Sequence, residues 1–81
     1  MNYFVYILEC SDKTLYTGYT VDLSKRILLH NSKLGAKYTR GRTPVTLKYF
    51  EKFNNKSDAL RREIEIKKLS KTQKLNLIKK G

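Results

Sequence analysis

The chain of 81 residues has one cysteine, one proline, one histidine and only seven acidic residues. A lone thiol, Cys10, can form no internal disulfide and has no second cysteine for a zinc site. No apolar run approaches the roughly 18–20 residues needed to span a bilayer. The apolar stretch at residues 3–8 has no basic residues before it and no small-residue cleavage site after it, so no secretory signal is read there. Nothing repeats, and no low-complexity linker interrupts the chain. The expectation is one domain, residues 1–81, with a modest core and a cytoplasmic location. An apolar fraction of 40% is ordinary for a globular protein and excludes a disordered tail.

The shortage of acid is the strongest compositional clue. Eighteen Lys and Arg against seven Asp and Glu leave a net charge of +11. Residues 1–20 hold only Lys13 against Glu9 and Asp12, so the whole surplus lies downstream. Such a field attracts polyanions and speeds association with them, which puts nucleic acid first among partner classes. A membrane surface comes last, because the helices are not cleanly basic on one face and apolar on the other.

Residues 3–8 are aromatic and β-branched and read as a buried strand. Residues 11–14 supply turn chemistry, and residues 15–19 read as a second strand, hence an antiparallel hairpin. A helix should follow, N-capped by Thr20 or Asp22, with Leu23, Ile27, His30 and Leu34 inward and Gly35 as C-cap. Residues 35–44 form a basic loop carrying Lys37, Arg40 and Arg42, and residues 45–53 alternate as a half-buried third strand. A second helix is expected at about residues 57–69. Ser70 and Gln73 match a capping box that should open a third helix, with Leu75 and Ile78 inward. The order β-β-α-β-α-α makes an α+β domain.

Five polar residues look misplaced for a purely structural protein. Tyr6 lies mid-strand in an apolar run, and Tyr16 lies in the hairpin partner. Arg26 and His30 are four apart, on one helix face, and His30 falls on the apolar stripe. Glu63 points toward the core side of the second helix. Each has a dull explanation: buried tyrosines fill cores, and a lone histidine is usually a satisfied core residue. Arg26 could pair with Asp22, and Glu63 with Lys67. Together, however, they make one polar cleft suited to phosphodiester hydrolysis. That reaction needs a water, a base, and positive charge for the crowded phosphate. Arg26 offers a planar fork for phosphate oxygens. Glu63 could hold Mg²⁺ or Mn²⁺, an ion that often binds through one carboxylate plus waters and substrate. A phenol with its pKa lowered by Arg26, Lys25 or the metal could serve as base. No second acidic residue is placed for a two-metal site, so one ion is expected.

These residues resemble the GIY-YIG nuclease family. Phe4-Val5-Tyr6 sits where that family has its first motif and Tyr16-Thr17-Gly18 where it has its second. Asp22-Leu23-Ser24-Lys25-Arg26 followed by His30 resembles its Arg-bearing helix, and Glu63 matches its metal-binding carboxylate. Residues 35–44 resemble one branch, which contains small stand-alone bacterial proteins and the catalytic subunit of a eukaryotic DNA-junction nuclease. Phe4 replaces the first motif's glycine and Thr17 the second motif's isoleucine.

The resemblance implies a three-stranded antiparallel sheet flanked by helices, with metal-dependent cleavage on the sheet face. It implies that Tyr6 and Tyr16 are the base and its partner, in an order the family leaves open. Arg26 would hold the scissile phosphate, His30 would assist proton transfer or orient a phenol, and Glu63 would bind the metal. Lys25 and Tyr38 are further candidates at the site. Members often attach this module to a DNA-binding domain or partner; here the basic loop and helices, or a protein partner, must supply specificity. The expected activity is a metal-dependent endonuclease acting on structured or damaged DNA rather than RNA. The alternatives are a basic nucleic-acid-binding module that retains the fold without turnover, and an adaptor docking on a protein.

Overall fold

Strand β1 (Tyr3–Glu9) runs up the middle of a three-stranded antiparallel sheet, with β2 (Leu15–Thr20) on one side and β3 (Thr46–Phe53) on the other. The computed structural model describes all residues from Met1 to Gly81. Four helices complete it: α1 (Leu23–Asn31), α2 (Lys37–Arg40), α3 (Lys56–Lys67) and α4 (Lys71–Lys80). The α+β class and the β-β-α-β-α-α order follow the sequence reading, with α2 a single helical turn inside the expected basic loop. No helix is long and apolar enough to cross a membrane.

The period of two along β1 divides the domain into a supporting half and a working half. Val5 and Ile7 are fully buried against Ala59 and Ile66 of α3, with Leu77 and Ile78 of α4 packed alongside. Tyr6 and Leu8 join Leu23 and Ile27 of α1 in a second cluster. A bulge in β3 serves this division. Tyr49 pairs with Ile7 but Leu47 pairs with Leu8, so Lys48 is passed over. Leu47 therefore joins the α1 side, while Tyr49 and Phe53 join the α3 side.

Helix starts obey capping chemistry. Asp22 caps α1 by accepting from the Lys25 amide at 3.0 Å, while Thr20 Oγ1 accepts from the Asp22 amide at 3.1 Å. Asp22 makes no ion pair with Arg26. Asn55 caps α3, just ahead of the expected start at Ser57. The Ser70–Gln73 capping box opens α4 as expected. Such a cap contributes about 1 kcal/mol.

Three packing expectations are corrected. Gly35 is not the C-cap of α1: the helix ends at Asn31, and the left-handed residue beyond it is Lys33, at φ 64°. Leu34 consequently lies outside the helix and is exposed. On α4, Lys74, Leu77 and Ile78 form the i, i+3, i+4 stripe facing the domain, which leaves Leu75 exposed. Arg62 anchors α3 to β3 through a two-pronged pair with Glu51, at 2.9 and 3.0 Å. Planar pairing of that kind fixes helix rotation, and hence the direction of the neighbouring Glu63.

Candidate active site

Tyr6 pairs across the hairpin with Gly18. A Cβ at position 18 would sit 3.0 Å from Tyr6 Cε1 and closer still to Cζ, so the glycine is needed for space. The ring thereby turns across β2, and Tyr6 is only 1% exposed. Its hydroxyl meets His30 Nε2 at 2.9 Å, and His30 Nδ1 meets Thr39 Oγ1 at 2.8 Å. Thr39 Oγ1 donates its one proton to the Ala36 carbonyl at 2.9 Å. Thr39 must therefore accept from His30 Nδ1–H, which leaves Nε2 with a lone pair that accepts from Tyr6. The chain Tyr6–His30–Thr39–Ala36 thus has a direction, toward the Ala36 carbonyl.

A neutral imidazole suits that direction. His30 is fully buried, and burial followed by the nearby Arg26 charge holds its pKa below the ordinary 6.5. The unfolded chain takes up a proton near pH 6.5 that the folded chain refuses until lower pH, so stability should fall as pH drops below 6.5. Urea midpoints measured across that range should show the loss in the parent and a flatter curve in His30→Gln. Gly35 is part of the same packing. A Cβ there would lie 2.8 Å from His30 Cγ and 2.9 Å from its Cα. Gly35→Ala should cost about 1–3 kcal/mol through overpacking, visible as a lowered melting temperature.

Tyr16 is half-buried, its ring 5.4 Å from His30 and 6.5 Å from Tyr6. It stacks on Tyr38 at 5.9 Å, and the Arg42 guanidinium lies 4.1 Å from the Tyr38 ring centre. Arg42 also donates to Asp12 Oδ2 at 3.0 Å and to the Tyr38 carbonyl at 2.7 Å. It is thereby occupied in holding α2 against the hairpin turn. Lys25, Lys37 and Arg40, by contrast, are exposed and unpaired with any carboxylate.

Arg26 and Glu63 act on Tyr6 through their charges. Burial raises the pKa of Tyr6; Arg26 works against this, while Tyr16 and Glu63 add to it. Arg26, Tyr16 and Glu63 all therefore act at the Tyr6 hydroxyl. The expectation of a phenol made more acidic by Arg26 fails for Tyr6, because desolvation outweighs the guanidinium. Arg26 Nε is buried with no hydrogen-bond partner. A shallow hollow of about 180 Å³, lined by Thr20, Asp22, Lys25 and Arg26 among others, opens beside it. Glu63 lies in an ion pair with Lys67 at 3.3 Å, its side chain 17% exposed. No three His, Cys, Asp or Glu side chains gather to hold a metal, and Glu63 is a carboxylate whose charge reaches Tyr6.

Thr39 escapes a reading by sequence, and the contact of Gly35 with His30 lies behind its reading as a C-cap. Thr39 is a small polar residue in a loop whose lysines and arginines draw attention, and nothing in its spacing points at His30.

A family model described as the GIY-YIG catalytic domain matches residues 2–76. The chain belongs to the GIY-YIG family. A UPF0213 protein of Halobacterium salinarum is 61% identical over 70 residues, covering 86% of this chain and 91% of its own. One from Clostridium perfringens is 63% identical over 78 residues, covering 96% and 83%. The solution NMR structure of a UPF0213 protein from Bacillus halodurans is 51% identical with a TM-score of 0.63, covering 98% of this chain and 84% of that one. A solution NMR structure from E. faecalis is 39% identical with a TM-score of 0.67, covering 99% and 85%. These matches place the chain among small stand-alone GIY-YIG proteins, a nuclease family whose substrate is nucleic acid. Within the GIY-YIG frame, the glycine of the second motif is Gly18, which makes room for the tyrosine of the first.

Proposed function

We propose that this protein is a metal-dependent endonuclease that hydrolyses phosphodiester bonds in structured or damaged DNA, in preference to RNA, in the cytoplasm. The observation that carries the reading is Arg26 Nε, a buried N–H with no hydrogen-bond partner, on a guanidinium that acts on the Tyr6 phenol. A buried guanidinium donor without an acceptor costs stability unless a ligand supplies one, and a phosphate oxygen is its natural complement.

The residues divide the work as follows. Glu63 would hold one Mg²⁺ or Mn²⁺, since such ions need only one or two protein carboxylates when waters and substrate complete the shell. That ion, when bound, supplies positive charge at the phosphate. Arg26 orients the scissile phosphate and neutralises its developing charge. Tyr16, partly exposed and free of the histidine chain, takes the proton of the attacking water as a phenolate, its own proton having passed to solvent. Tyr6, its own proton directed at His30, holds the water's approach by its hydroxyl oxygen. Lys25, Lys37, Arg40 and the exposed face of Tyr38 bind flanking strand, while Arg42 keeps α2 in place. A protein partner would add substrate choice.

The test is incubation of the pure protein with labelled branched, nicked, single-stranded and duplex DNA and RNA, with Mg²⁺, Mn²⁺ or EDTA. Cleavage of a structured DNA that needs the ion supports the reading. Binding across the panel with no cut in any lane would replace it with the non-catalytic nucleic-acid-binding module.

A further inference from the structure

A second cleft of about 260 Å³ opens where α4 leaves α3, lined by Thr14, Leu15, Tyr38, Leu69, Lys71 and Lys74. None of its cations belongs to the site described above. One wall reaches that site through the Tyr38–Tyr16 stack at 5.9 Å. Lys67, the ion-pair partner of Glu63, also places its charge close enough to act on Lys74. The Tyr38–Tyr16 stack therefore joins the cleft to the candidate active site.

Its charges are unbalanced. Neither Lys71 nor Lys74 pairs with a carboxylate. Lys74 is half-buried, and burial followed by Lys67 draws its pKa down. A cation held among other cations in a partly desolvated cleft is a site whose energy falls when an anion enters. Leu15 and Leu69 add an apolar surface beside the lysines, the combination that a sugar-phosphate strand meets.

We infer that this cleft binds the phosphodiester backbone of the substrate strand next to the cut, with Lys71 and Lys74 meeting its phosphates and Tyr38 guiding it from Tyr16. The inference rests on the endonuclease reading for its substrate, yet it concerns binding alone. Its test compares Lys71→Gln/Lys74→Gln with Lys79→Gln/Lys80→Gln, which removes equal charge at the far end of the same helix. Affinity for a branched DNA is measured in EDTA over a series of salt concentrations. The cleft pair should weaken binding about tenfold and reduce the salt slope by about 0.9 for each phosphate that is no longer neutralised. The far pair should have a much smaller effect on both. Equal effects from the two pairs, or none from the cleft pair, would overturn the assignment. Thermal melts accompany the comparison, and the exposed single variant Lys71→Gln carries it should the double variant unfold. Because no turnover occurs in EDTA, failure to cleave in the substrate panel leaves this result standing on its own.

Discussion

Replacing Glu63 by glutamine should reduce cleavage more than about 10³-fold, about 4 kcal/mol in the transition state. Glu63 is a carboxylate whose charge acts on Tyr6, and no cluster of three His, Cys, Asp or Glu side chains surrounds it. Glutamine preserves the side chain's length, so α3 should keep its place through the Arg62–Glu51 pair. DNA affinity should hold or rise slightly, since a negative charge leaves a positive surface. Single-turnover rates and binding constants are measured side by side, with Mn²⁺ titrated to high concentration. A variant that cuts like the parent would remove Glu63 from metal binding.

Arg26→Ala should cost about 10²–10³-fold in rate, the loss typical of removing a preorganised donor from an oxyanion site. It has a second signature that mere loss of binding lacks. Arg26 lowers the pKa of His30, so without it the acid limb of the pH–rate profile should move upward, toward 6.5. Arg26→Lys should restore the limb more than the rate, because an ammonium replaces the charge but not the planar fork. Rates within a few fold of the parent, with an unmoved limb, would exclude Arg26 from the chemistry.

The architecture is readable because its signals are local. Aromatic and β-branched residues in β1, the short polar turn and the Ser70–Gln73 box each act within a few positions. Tyr6, Tyr16, Arg26, His30 and Glu63 stand out as polar residues at apolar positions; the rings of Tyr6, Tyr16 and His30 lie together, and the charges of Arg26 and Glu63 act on Tyr6. What stays hidden depends on packing between distant segments. Gly35 reads as a helix stop, yet its value is the space it leaves against the His30 ring. Thr39 is nine residues from the imidazole it accepts from, in a loop without periodicity. Arg42 looks like a substrate contact by composition, but its guanidinium is taken up by Asp12 and Tyr38. The burial that raises the pKa of Tyr6 is equally invisible, because sequence shows a nearby cation and not the depth of a phenol.

The alternation along β1 makes the protein unforgiving of any shift in chain length there. Adding or deleting one residue before Tyr6 would rotate the phenol into the layer against Ala59 and Ile66 and thrust Val5 or Ile7 at the phosphate. Chemistry and scaffold would fail in one stroke, whereas a single-residue insertion in the hairpin turn disturbs neither. Natural variation in length should accordingly collect at the turns and leave this strand untouched.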